Sequence, residues 1–464
     1  MASTAEARLL RRCPAISHIR LPVPWVRCCA LLQSPQFPKA VDGRESGGVC
    51  GADSRPIHNS LVGPRILLLL PQLPQDPTSG AARSTLSAAQ FARDSGFEVR
   101  ALATTATESP KYIDPLGILR SLGCDPEVRP SSNQHFQEIR FERRGIPYTL
   151  LDTGRLDFMK WEPTHGRQMD LLLEHELSSF QPDVVFTYGG QPGDVRRLRM
   201  ARQRGARIAF ALHNLHYFVK PFFDEVDVVL VPSRFLASKY REKIGIDSVA
   251  LPGPVDPEDV IAENREPIFV TMVNPGVEKG LFFFVRLAEE LGKYHPKIAV
   301  LVIEARGTGG SVCAAGLKGG FDLRRHESIM ISPAVPKPKD IYRYARVLLA
   351  PSVIEEPAPR VVPEALMNGV PPLVSDRGGL AEVANGAGFV LPLPAHYVPT
   401  SRVPVRAEEV QPWIDVIERL AFDEPFYQAE VQKARQAAEL YRPENLRPMY
   451  ADFFVQAALR SGRR

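Results

Sequence analysis

The stretch from Ala350 to Val383, APSVIEEPAPRVVPEALMNGVPPLVSDRGGLAEV, decides how the rest of the chain is read. Arg346 to Pro351 is an apolar strand that runs into a loop carrying Glu355 and Glu356. A short helix follows, then a second apolar strand, Pro372 to Ser375, and a Gly378-Gly379 turn into another helix. The first helix is expected to begin near Pro363, because a proline there lacks only an N–H that has no helical partner, and to stop at Asn368-Gly369. Glu356 and Glu364 then bracket a helix start at the carboxyl end of a buried strand, which in an open α/β sheet is where ligands sit.

The chemistry follows from the groups. Backbone N–H groups around Pro359 to Val362, Val361 among them, favour an anion, and Arg360 adds a fork of hydrogen-bond donors suited to phosphate. Glu364, one turn further in, can accept from two neighbouring hydroxyls, as a ribose offers. Phosphate and ribose together describe a nucleotide. Spacing alone carries little weight, since glutamate is common and a first-turn Glu is often only a favourable charge on the helix dipole.

Here the residues carry a resemblance. PSVIEEPAPRVVPEA followed by GVPPLVSDRGGLAEV resembles the donor-binding signature of retaining glycosyltransferases of family 4 (group 1): Glu-x7-Glu, then Gly-x-Pro, an acid or amide, Gly-Gly and Glu. The likeness is specific over Ala350 to Glu382 and looser over most of the chain after residue 60; Ala358-Pro359 stands where the family usually has Phe-Gly. It implies the GT-B fold, two Rossmann-like α/β domains facing across a cleft, with the C-terminal helices crossing back to the first. It also implies a sugar moved from a nucleotide-diphosphate donor to a glycan or lipid-linked acceptor, with retention and without a metal or other cofactor. Glu356 would hold the transferred sugar's hydroxyls and Glu364 the ribose.

At 464 residues the chain exceeds one ordinary core, and 44% hydrophobic with 24% charged residues is a globular composition. The expected division is an N-terminal extension over 1–60, a first domain over 61–253, a second over 254–430, and helices over 431–464 packing on the first. The extension mixes arginines and prolines without periodicity, holds Cys13, Cys28, Cys29 and Cys50, and reads as disordered; a transit peptide is the alternative. No cysteine pair has metal-binding spacing and no apolar run approaches the roughly 20 residues of a membrane span. A reducing cytoplasm is the expected compartment. The net charge of +4 permits peripheral contact with an anionic membrane face, and no aromatic and basic interleaving suggests nucleic acid.

Other positions gain meaning from the resemblance. Arg65 to Leu70 is a continuous apolar strand, followed by a small-residue loop and a helix from about Ala81 to Asp94; Gly80 there resembles the glycine that lets the backbone approach the transferred sugar and diphosphate. By itself a loop glycine is usually just a turn. His213 ends the strand Arg207 to Leu212 and resembles a histidine facing the transferred sugar. Lys279-Gly280 matches a lysine that reaches the diphosphate, but the family's nearby arginine is absent: Val273-Asn274-Pro275 stands there, which puts Asn274 at the site and leaves Arg306 or Arg360 to replace the charge. Arg306 lies in a glycine-bearing loop after the strand Ile298 to Glu304, and the main chain at Val335, after a strand over Met330 to Val335, would face the base. The chain has no Asp-x-Asp, the pair that metal-dependent sugar transferases use to hold an ion on the diphosphate. Two other classes share the pattern: a GT-B epimerase or hydrolase, and a non-catalytic nucleotide-sugar-binding protein.

Overall fold

The computed structural model describes residues 63–108, 113–130, 136–335 and 337–459; the segment 1–60, read above as a disordered extension, lies outside them. Short apolar runs bounded by polar loops become parallel strands; the central ones are covered on both faces, so their residues are buried without alternation. In the first lobe these are β1 (Ile66–Leu69), β2 (Val99–Thr104), β6 (Val184–Thr187), β7 (Arg207–Ala211), β8 (Val228–Val231) and β9 (Val249–Ala250), joined on one side by β3 (Glu127–Pro130), β4 (Gln137–Arg143) and β5 (Ile146–Leu151). The order is β3-β4-β5-β2-β1-β6-β7-β8-β9, parallel except at β3–β4 and β4–β5. The second lobe has β10 (Phe269–Val273), β11 (Val300–Ile303), β12 (Ile329–Ser332), β13 (Ala345–Ala350), β14 (Pro372–Ser375) and β15 (Phe389–Leu391), all parallel, in the order β12-β11-β10-β13-β14-β15. The edge strands β9, β12 and β15 are only half-buried.

In each sheet the chain leaves the centre in one direction, returns, and leaves in the other. The reversals fall between β1 and β6 and between β10 and β13. Adjacent loops there diverge to opposite faces and leave a crevice beyond the strand ends. The loops after β10 and β13 carry most of the residues singled out above.

Two local expectations are corrected. The helix of the central stretch is Val361–Met367, two residues ahead of Pro363, which a proline tolerates because no N–H in the first turn needs a helical partner. The strand expected to reach Val335 stops at Ser332, since Pro333 cannot donate to the ladder, and Val335 lies in a loop.

The boundary expected at 431 falls inside the helix Glu424–Ala438, whose Ala434, Ala437 and Ala438 pack with Val362, Ala365 and Leu366 of the second lobe. The chain crosses after Tyr441. The helix Pro443–Leu459 then lies on the helix Gly80–Asp94 and buries Leu446, Tyr450, Phe453 and Phe454 in the first core. Phe454 meets Phe186 edge-on at 5.1 Å and Tyr450 meets Phe91 at 5.8 Å.

Candidate active site

A cleft of about 360 Å³ lies where the carboxyl ends of the two sheets face each other, and the sequence-derived positions all line it: Gly80 and His213 from the first lobe; Asn274, Lys279, Arg306, Val335, Glu356, Arg360, Val361 and Glu364 from the second. Lys279 reaches the cleft because Gly280 behind it is left-handed (φ 88°), and a side chain there would collide with the Pro351 carbonyl at the end of β13. Its Nζ pairs with Glu356 Oε2 at 2.5 Å, and Ser352 Oγ donates to the other oxygen. The backbone of Glu356 is gripped in turn by Gly378, also left-handed (φ 65°), where a Cβ would come within 2.5 Å of the Glu356 nitrogen. This is the physical content of the Gly-Gly in the motif.

Glu364, buried, splits its oxygens between Arg360 Nε at 3.3 Å and the Tyr342 hydroxyl at 3.2 Å. Burial first, then the charge of Glu364, push the Tyr342 phenol well above its ordinary value, so it remains a proton donor. A carboxylate oxygen has room for a second partner, so Glu364 keeps acceptor capacity toward the cleft.

Arg360 is more committed than its place in the sequence suggests. Its Nη1 donates to Ser84 Oγ at 3.0 Å and to the Pro254 carbonyl at 2.9 Å, which ties the second lobe to the first. Burial first, then the neighbouring Arg83, hold it below the ordinary arginine value, and Glu364 opposes them. The arginine expected to offer its fork to a phosphate therefore has Nε and Nη1 engaged with protein.

Arg306 has fewer commitments. It is about half exposed and its one ion pair among the described residues is with Glu108 of the first lobe, Nη1 to Oε2 3.5 Å. Asn274, in the left-handed region (φ 59°), accepts through Oδ1 from Gly307 N at 2.9 Å. The loop lacking the arginine thus holds the loop that carries one.

On the first lobe, Ser79 caps the helix Gly80–Asp94, accepting from Ala82 N at 3.3 Å, and brings Gly80, Arg83 and Ser84 to the cleft. His213 Nε2 lies 2.8 Å from Thr85 Oγ1, whose proton goes to the Ala81 carbonyl at 2.9 Å; the ring then donates through Nε2 and keeps Nδ1 as its acceptor. Burial first, and the charge of Arg360 after it, push the imidazole down to about 4, so it is neutral at physiological pH. Glu108, Arg83 and Tyr342 were not found from the sequence. The only local signal for Glu108 is its place in the loop just after the apolar strand β2, and for Tyr342 there is none.

Two lobes with opposed switch points and charged loops converging on one cleft define the GT-B architecture. Comparison with known proteins agrees. Residues 257–394 match the family model described as glycosyl transferases group 1. Solved structures of the same fold include a glycosyltransferase from Rickettsia africae (TM-score 0.60, 14% identity, covering 86% of this chain and 100% of that one). Sucrose-phosphate synthase from Thermosynechococcus elongatus is equally similar (TM-score 0.60, 16% identity, 85% and 98% covered). So, at TM-score 0.56, is HepE from Anabaena in complex with UDP and glucose (12% identity, 85% and 98% covered). Among curated proteins none matches the sequence. The stretch 257–394 belongs to the glycosyl transferases group 1 family, and the chain is a glycosyltransferase.

Proposed function

We propose that the chain moves a glycosyl group from a nucleotide-diphosphate sugar to a hydroxyl of a saccharide or lipid-linked acceptor, with retention of configuration and without a metal ion. The observation that carries this reading is Lys279 held 2.5 Å from Glu356 at the mouth of the helix that bears Glu364. HepE, of the same fold, is a complex with UDP and glucose, which supports a nucleotide-sugar donor here.

In this reading the diphosphate leaves as charge builds on its bridging oxygen. Lys279, Arg306 and the backbone at Val361 stabilise that charge because they are already in place, with no solvent to reorganise. Glu356 fixes the sugar's hydroxyls and Glu364 the ribose, while the base rests against the main chain at Val335. The acceptor approaches from the first lobe past His213. Retention follows if the hydroxyl attacks on the face the diphosphate leaves, giving its proton to a departing phosphate oxygen. The same reading puts the chain in the cytoplasm, peripheral at the inner face of the membrane when its acceptor is lipid-linked; among the described residues no helix is long and apolar enough to cross a membrane.

The test is thermal unfolding of the full chain with UDP-, ADP- and GDP-sugars and their free diphosphates, with and without EDTA, followed by an acceptor screen. We expect one base to raise the midpoint, EDTA to change nothing, and Lys279→Ala to lose most of the shift. Product of the same anomeric configuration as the donor is expected by NMR. No shift with any nucleotide would sink the proposal; an EDTA-sensitive one would sink its metal-free part.

A further inference from the structure

We propose that Glu108 stands in for the donor's diphosphate: it holds Arg306 across the cleft, yields it when a nucleotide sugar arrives, and is thereby freed to hold a hydroxyl of the acceptor. This deepens the proposed function and rests on it.

The geometry points this way from three sides. First, the loop after β10 has no arginine, and Arg306 is on the next loop, which is fastened to Asn274 through Gly307. Second, Arg306 is paired with an acid of the opposite lobe, and that acid lines the same cleft. Third, Glu108 is held for this place. Its N–H donates to Asp76 Oδ2 at 2.8 Å, its neighbour Thr107 bridges to Asp157, and its side chain is only 16% exposed.

A carboxylate so placed is costly without a partner. Burial above all pushes its carboxyl up, with smaller help from Asp76 and Asp157, while a hydrogen bond with Ser79 and then the charge of Arg306 pull it back. A diphosphate carries more charge than a carboxylate and accepts a guanidinium fork through two oxygens, so it takes Arg306 in competition. Glu108 then remains buried without its counter-ion, a state that a donated hydroxyl relieves. Donor and acceptor are thus coupled through one side chain, and each tightens the other by the same factor. A merely structural tie between lobes predicts the opposite sign, since cutting it would loosen the donor site.

Titration calorimetry on the full chain with UDP, ADP and GDP separates these. Glu108→Gln frees Arg306 and is expected to bind the preferred nucleotide about two- to fivefold more tightly, the scale of a partly exposed ion pair. Arg306→Met is expected to bind it on the order of tenfold more weakly, and the double variant to match Arg306→Met, with no gain from the second change. With the acceptor from the screen, Glu108→Gln is expected to raise the acceptor KM on the order of tenfold while the donor KM falls. Should Glu108→Gln fold poorly, Glu108→Ala reads the same coupling. Nucleotide binding that is unchanged or weaker in the Glu108 variants, or a gain that persists beside Arg306→Met, overturns the inference alone. Wild-type chain that binds none of the three nucleotides overturns the donor reading and this inference with it.

Discussion

His213 shows how little a residue's type says before its surroundings are known. In the sequence it is a histidine after a strand, resembling one that faces the transferred sugar. In the structure it is a neutral ring tied to Thr85, with Arg360 close enough to oppose its protonation. Its pKa falls on folding, from 6.5 to about 4, so below about 6.5 the unfolded chain takes up a proton that the folded chain refuses. The stability tied to this group is full above that pH and is lost as pH falls from 6.5 towards 4. The unfolding midpoint should therefore drop between pH 7.5 and pH 5 by more in the wild type than in His213→Gln; equal drops would show that the imidazole is not held neutral. Lys279, Glu356 and Glu364 were legible because they belong to one linear motif or sit beside a glycine with a fixed job. Glu108 and Tyr342 were not, because what they do depends on neighbours roughly 200 and 20 residues away in the chain.

At the scale of elements, most of the parallel strands that were read could be placed to within a residue or two, the one before Pro333 ending three residues short, because burial on both faces leaves an unbroken apolar run. The antiparallel β3, β4 and β5 escaped for the opposite reason. The burial of β4 alternates, with Ile139 and Phe141 in and Arg140 and Glu142 out, and its turn to β5 is Arg144-Gly145, both left-handed, rather than the familiar Asn-Gly. That turn places Arg144 against Asp256 and Glu258 at the start of the second lobe. The final helix, read only as an amphipathic stripe, gained its meaning from where it lands. Phe454 is fully buried between that helix and β6, so Phe454→Ala should lower stability by about 3–5 kcal/mol in chemical denaturation, with the loss centred on the first lobe. A cost under about 1 kcal/mol would mean that the helix is only loosely applied.

Across the whole molecule, the lobes meet through few but specific contacts. Glu382, the last acid of the motif, caps the helix Arg234–Ile244 of the first lobe, accepting from Arg234 N at 2.8 Å and Phe235 N at 3.0 Å. Ser233 Oγ donates to the Pro357 carbonyl at 2.7 Å, next to Glu356, and Lys239 pairs with Glu355 at 2.7 Å. An acid at a helix start is worth about 0.5–2 kcal/mol, and here it also sets the gap in which the chemistry is proposed to occur. Glu382→Ala should raise the radius of gyration in solution scattering and weaken nucleotide binding a few-fold while both sheets stay folded. An unchanged radius with unchanged binding would show that other contacts suffice.

The return of the last helix to the first lobe also bears on how the chain is made. Leu446, Tyr450, Phe453 and Phe454 complete a core whose other members begin at Ile66, so the half that leaves the ribosome first cannot close its hydrophobic face until the closing residues have emerged. A chain that stops before Pro443 is therefore expected to leave that face open to water, read as exposed apolar surface by dye binding. The first half of this glycosyltransferase matures last.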